Sequence, residues 1–209
     1  MKKWIDYTFF IHSILNFFVL AHRHYPFVFV FHHTARLSVC RFLTASKFRG
    51  KVYVHLRVHE NGRPTKNGIG LSLNQCKTLM LVVDTFKSSA EKDWASDRKP
   101  NPKISSLYLH HIGDGVYLTV RKMPSGQLIF DVRRYSYRHD DKEPTPTLTG
   151  LELLEDEFDL LRQHLPQLND CVPGLAEERP CYARDDHSNQ VGYLRCSRCN
   201  PFHYREWLD

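Results

Sequence analysis

Apolar and polar residues alternate in the same way along two stretches of the chain. Gly50-Lys51-Val52-Tyr53-Val54-His55-Leu56-Arg57 and Gly126-Gln127-Leu128-Ile129-Phe130-Asp131-Val132-Arg133 each run from a glycine to an arginine over the same spacing. Val52, Val54, Leu56 and Val58 share one face of the first stretch, and Leu128, Phe130 and Val132 share one face of the second. A period of two is that of a strand with one buried side. The open faces then carry Tyr53, His55, Arg57 and His59 in one copy, and Ile129, Asp131, Arg133, Tyr135 and Tyr137 in the other. Leu37–Phe42 and Leu118–Met123 predict a strand before each copy. Turns are predicted at Asn61-Gly62-Arg63-Pro64 and Met123-Pro124-Ser125-Gly126, from their glycines and prolines.

A helix closes each unit. Ser72-Leu73-Asn74-Gln75 fits a capping box, and Cys76, Leu79, Met80 and Val83 follow as an apolar stripe. In the second unit Glu155, Asp156 and Glu157 crowd a first helical turn, where the helix dipole favours anions. Phe158, Leu161 and Leu165 form its stripe. Phe158 follows Gly150 at the distance at which Cys76 follows Gly68, so both helices hold the same register to their strands. The pattern predicts an α+β chain of two tandem strand–strand–strand–helix repeats, at 35–90 and 107–168. A polar linker at 91–106 joins them, and a cysteine-rich tail at 169–209 follows. A duplicated surface makes one catalytic cleft a poor expectation.

Residues 1–34 differ in kind. Aromatic and apolar runs follow Lys2 and Lys3, but Asp6, His12, Ser13 and Asn16 interrupt them. The stretch imitates a secretory signal and is too short and polar for a membrane span. It also reads as a docked apolar extension, or as sequence outside the folded module.

Charge sharpens the picture less than its distribution. The 209 residues carry 29 Lys+Arg against 23 Asp+Glu, a formal charge of +6. The acids cluster at Glu152–Asp159 and Glu177–Asp186, while the bases lie mostly in the repeats. Cys171, Cys181, Cys196 and Cys199 crowd the tail, which points to a reducing compartment with one local metal site rather than a disulfide framework. Cys196-Ser197-Arg198-Cys199 is half of a zinc-knuckle pattern. Cys171 and Cys181 supply the other half, with His187 or His203 as substitutes. Structural zinc, free thiols and disulfides all stay open on spacing alone. No nucleophile–base motif, phosphate-binding glycine loop or paired-histidine metalloenzyme pattern is present, which argues against an enzyme.

Residues Gly115–Leu168 resemble the single-strand DNA-binding domain of the transcriptional coactivator positive cofactor 4. The resemblance rests on a V-x-L-x-V-R strand, a G-x-x-x-x-D-V-R-R-Y strand, a proline-bearing loop ending in T-G-L-x-L, and an acidic helix anchored by Phe158. Leu37–Phe42, Gly50–Arg57, Arg63–Ile69 and the helix from Asn74 resemble it more distantly. The resemblance implies curved antiparallel sheets and, from two copies in one chain, an intramolecular pseudo-dimer. It also implies cations and rings that hold single-stranded nucleic acid. Carried over position by position, it marks Phe42, Arg57, Arg63 and Lys66 in repeat one. Arg121 and Arg133 follow in repeat two, with Tyr135 and Tyr137 in place of an absent tryptophan. Cys40 falls opposite Arg121 in that alignment, and Met123 opposite Phe42. Thr145 and Leu148 stand where repeat one has Arg63 and Lys66, so the second loop is not basic.

Three functions follow as expectations. The first is a non-enzymatic, nuclear, single-stranded DNA or other nucleic-acid binding protein acting as a transcriptional coactivator, with transcription-machinery proteins as further partners. The second is a protein-interaction scaffold of the same fold with a zinc-stabilised tail. The third, resting on residues 1–21 as a signal, is a secreted disulfide-bonded protein.

Overall fold

The computed structural model describes residues 31–95, 108–137, 144–187 and 189–208. Residues 1–30, most of the linker and the tip of the Arg138–Pro146 loop lie outside them, so the secretory reading falls on residues that are not described. Repeat one contains β1 (Phe31–Arg36), β2 (Arg41–Phe48), β3 (Lys51–Glu60), β4 (Arg63–Ser72) and α1 (Leu73–Ala95). Repeat two contains β5 (Tyr108–Gly113), β6 (Val116–Lys122), β7 (Leu128–Ser136), β8 (Thr145–Leu154) and α2 (Glu155–His164). Each sheet is a four-stranded antiparallel meander in chain order. The strands β1 and β5 exceed the expected three, because each sheet gains an edge strand ahead of the pattern read from sequence.

Two expectations shift at the element ends. Residues 37–40 form the β1–β2 turn rather than a strand, and β2 runs on to Phe48. The reason is that Thr44 and Ser46 are polar yet buried, so β2 lacks an apolar signature on its site-facing side. Helix α1 continues to Ala95, into the polar segment predicted as linker. Ala90 is fully buried there, and buried Lys87 is held by Glu91 at 3.0 Å and by Asp159 of repeat two at 2.8 Å.

Capping fixes both helix starts. The Ser72 hydroxyl accepts from the Gln75 amide at 3.3 Å, and the Gln75 side chain accepts from the Ser72 amide at 2.9 Å, completing the box. Glu157 does the reciprocal half at α2, accepting from the Leu154 amide at 2.9 Å.

One core serves both repeats. Leu43, Val54, Leu56, Ile69, Leu71, Cys76 and Leu79 of repeat one form a single buried cluster with Leu118, Phe130, Val132, Leu153, Phe158 and Leu161 of repeat two. Phe130 and Phe158 stack with centroids 3.9 Å apart. Cys76 and Phe158, at equivalent helix positions, are both fully buried. Helix α1 packs on β3 and β4 of its own sheet and on β5 and β6 of the other, while β4 meets β8 across the seam. Polar ties reinforce this seam. Arg41 Nη1 reaches buried Glu157 at 2.8 Å, Arg162 reaches Asp84 at 2.7 Å, and Gln75 Nε2 donates to the Gly113 carbonyl at 2.9 Å. The two sheet-plus-helix halves are therefore joined through one core. Leu168, Val172 and Leu175, around the short α3 (Leu168–Cys171), extend that core. Among the described residues no helix is long and apolar enough to cross a membrane.

Candidate nucleic-acid interface

The duplicated geometry is closest around the two arginines. Arg57 sits opposite Gly68, and Arg133 opposite Gly150. A Cβ on Gly68 would lie 2.7 Å from Arg57 Cα, and one on Gly150 would lie 2.7 Å from Arg133 Cβ, so only glycine lets the strands close at these points. Arg57 Nη1 donates to the Thr65 carbonyl at 2.7 Å, and Arg133 Nη1 to the Thr147 carbonyl at 2.8 Å. Thr65 and Thr147 each turn their hydroxyl to the facing strand, onto the Val58 and Arg134 carbonyls. A register shift follows each arginine, between Arg57 and His59 and between Arg133 and Tyr135. Bulges of this kind bend the strand and re-aim the next side chain. The arginines are thus presented by the same local structure twice.

The surroundings of the two arginines differ. In repeat one, Thr44, Ser46, Phe48, Tyr53, His55, Arg57, Pro64, Thr65 and Gly70 line an open cleft of about 530 Å³. His55 bonds Ser46 through Nε2 at 3.0 Å, and burial, helped by Arg57, lowers its pKa to about 4. Burial and Arg57 also lower His59, whose ring lies against Phe42 at 4.5 Å. These imidazoles are therefore neutral flat rings near pH 7. Arg57 has no carboxylate partner among the described residues. Exposed Arg63 and Lys66 stand at one end of the cleft, and the exposed hairpin residues Lys47, Arg49 and Lys51 at the other.

In repeat two the cations are matched by acids. Arg133 Nε pairs with Asp131 at 2.6 Å, and Arg121 Nη2 with Glu152 at 3.1 Å. Asp131 and Glu152 face each other across β7 and β8, where repeat one has His55 opposite Gly70. Burial raises Asp131 despite Arg133 beside it, and its Oδ1 is buried without a partner. Tyr135 meets Tyr117 edge-on at 4.9 Å. Tyr137 is covered by the tail, with Phe202 at 5.6 Å and His203 at 4.9 Å.

Phe42, Arg57, Arg63 and Lys66 thus gather on one sheet, and Arg121, Arg133, Tyr135 and Tyr137 on the other. The strand alignment corrects two pairings. Thr44 faces His55 as Thr119 faces Asp131, so Ser46, not Cys40, is the counterpart of Arg121. Phe42 corresponds to Tyr117, not Met123. The His59 amide donates to the Cys40 carbonyl and the Tyr135 amide to the Gly115 carbonyl, both at 2.7 Å, which fixes the same alignment. Arg63 and Thr145 do correspond, since they face Glu60 and Ser136. Phe48 and Thr65 join the site; Phe48 was hidden by the misplaced strand, whereas Tyr53, His55 and His59 already stood out by alternation.

The tail makes a second cluster. Ligand atoms of Cys181, His187, Cys196 and Cys199 all lie within 4.8 Å of one another, a group able to hold a metal ion. Cys171 is not in it: its Sγ bonds back to the Gln167 carbonyl at 3.2 Å, four residues earlier on a helical turn. His187 takes the place expected for Cys171, and His203 instead meets Glu206 at 3.0 Å and Tyr137. Burial raises the Cys196 thiol, but backbone amides of Cys199 and Arg198 together with His187 outweigh it and bring it down to about 7. All six cysteines are free.

No curated protein sequence matches this chain. Residues 35–81, spanning β2, β3, β4 and the start of α1, match the model of the family described as Transcriptional Coactivator p15 (PC4).

Proposed function

We propose that the chain is a non-enzymatic single-stranded nucleic-acid binding protein that acts as a transcriptional coactivator or regulator in the nucleus. The observation that carries this reading is the repeat-one cleft, where neutral rings surround an arginine with no opposing acid among the described residues and cations flank both ends. Stacking on flat side chains beside a cationic track holds single strands without reading sequence. Arg57, Arg63 and Lys66 meet phosphates in this reading, and Phe42, Tyr53 and His59 offer faces to bases. Arg121, Arg133, Tyr135 and Tyr137 form the lesser second surface. The matched coactivator family supports the transcriptional role, and transcription-machinery proteins are the further partners.

The test is anisotropy of a labelled oligothymidylate at low and moderate salt. Micromolar or tighter binding that weakens with salt is expected, since each neutralised phosphate releases counterion. Binding weaker than about 1 mM at low salt overturns it. The acid-matched arginines of repeat two favour a second reading, a protein-interaction scaffold; capture of a protein partner that persists at high salt, without oligonucleotide binding, would select it. In both readings the tail holds one structural zinc ion through Cys181, His187, Cys196 and Cys199.

A further inference from the structure

The tail from Cys181 onward has almost nothing of its own to fold around. Its helical turns are three to six residues long: Cys181–Ala183, Asp185–His187, α4 (Gln190–Arg195) and Tyr204–Trp207. Helices this short do not hold themselves. Among the described residues of this segment only Cys181 and Cys199 are buried, and both belong to the metal-ligand cluster.

The two closest spacings in the cluster are near those of a tetrahedral site. Cys181 Sγ lies 3.6 Å from Cys196 Sγ and 3.9 Å from His187 Nε2. Zinc with Zn–S of about 2.3 Å and Zn–N of about 2.0 Å separates its ligands by roughly 3.5–3.8 Å. A further carboxylate completes it: Asp186 accepts at 2.9 Å from His187 Nδ1, which leaves Nε2 aimed at the thiolates. Metal-bound imidazoles are commonly fixed in this way.

The ligand loops also touch both repeats. The Cys181 amide donates to Asn74 Oδ1 at 3.1 Å, and Asn74 Nδ2 donates to Glu178 at 3.0 Å, in the first turn of α1. The Arg198 carbonyl, inside the Cys196–Cys199 knuckle, accepts from the Asp114 amide at 2.9 Å, in the β5–β6 turn. Just beyond the knuckle Phe202 packs at Gly115, where an added Cβ would come within 3.3 Å, and stacks on Tyr137.

We infer that zinc held by Cys181, His187, Cys196 and Cys199, oriented by Asp186, is a clasp across the seam of the two repeats that keeps Tyr137 covered. The inference rests on the zinc reading of the tail and adds a consequence to it. Removing the ion frees the knuckle, and with it the Asp114 hydrogen bond and the Phe202 lid.

Three measurements on the full chain test this. Metal analysis should find one zinc per chain, lost in Cys196→Ser and kept in Cys171→Ser. Asp186→Asn should weaken zinc affinity about 10–100-fold. Chelation should speed hydrogen exchange at the Asp114 amide at least ~10-fold and open Tyr137 to a tyrosine-modifying reagent, with Leu56 in the shared core unchanged; local opening of this kind leaves core amides protected. Less than about a tenth of an ion per chain after purification with zinc would overturn the zinc reading and the clasp with it. A full complement of zinc, with Asp114 exchange and Tyr137 reactivity unmoved by chelation, would leave the zinc reading and remove the clasp.

Discussion

Two sheets with the same bulge, the same arginine seat and the same threonine brace present opposite surfaces. In repeat one the residue two before the arginine is His55, neutral and bonded to Ser46; in repeat two it is Asp131, paired with Arg133. Across the sheet the matching positions are Gly70 and Glu152. Those two differences place carboxylates beside the cations of the second sheet. The lesson is that keeping the arginine does not keep its availability: a duplicated cation is a duplicated site only if its neighbours are duplicated too.

The largest expected effect lies in the core, where the two halves differ most in volume. Phe158→Ala should cost about 3–5 kcal/mol, and Cys76→Ala, at the equivalent position, far less. Chemical denaturation followed by fluorescence and circular dichroism measures both. Because one cluster joins the repeats, each variant should still unfold in a single transition; two separated transitions would break the picture of a shared core.

The faces themselves come next. Arg57→Ala should weaken oligothymidylate binding about tenfold or more, roughly 1.4 kcal/mol. Arg133→Ala should change it less than about twofold, because its charge is already met by Asp131. Equal losses would show that the acids do not silence the second face. The converse is sharper. Asp131→Asn with Glu152→Gln should raise affinity severalfold and steepen the salt dependence by up to about two phosphate contacts. No gain would mean that repeat two fails for another reason.

The smallest effect is a slope with pH. His55 is held near 4 in the fold against 6.5 when free, so between those values the unfolded chain binds a proton that the folded chain does not. Stability is then whole above about pH 6.5 and falls as pH drops toward about 4. His55→Gln should flatten that part of a stability–pH curve measured by denaturation, and Asp131→Asn, at the matching position, should not.

Much of this was legible in the residues. Period two fixed the inner faces of β3 and β7, Ser72 and Gln75 announced the start of α1, and Pro64 and Pro146 brought the third strands into correct alignment. The expected strand Leu37–Phe42 differs from β2 because alternation reports burial against an apolar core. Thr44 and Ser46 are buried on the site side, so the strand carried no apolar rhythm there, while Leu37–Phe42 imitated one. The displaced strand took the place of β1, whereas β5 precedes a β6 that agrees with the expected Leu118–Met123 strand. Arg121 could be found from sequence, but not its ion-pair partner Glu152, which lies two strands away on β8 and depends on the register of both pairings. Cys171 was an equally good candidate by spacing; only the backbone path, which folds Asp186 and His187 back onto the knuckle, decides between it and His187.

The exchange of contacts by α1, which packs on β5 and β6 as well as on its own sheet, has a further consequence. When two identical subunits pair, every change in one appears at once in the other, and a carboxylate beside the arginine would close both faces together. Two unequal halves in one polypeptide are free of that constraint. The second sheet serves as the wall against which the first is built, while its own outer face carries Asp131 and Glu152 without closing the face around Arg57.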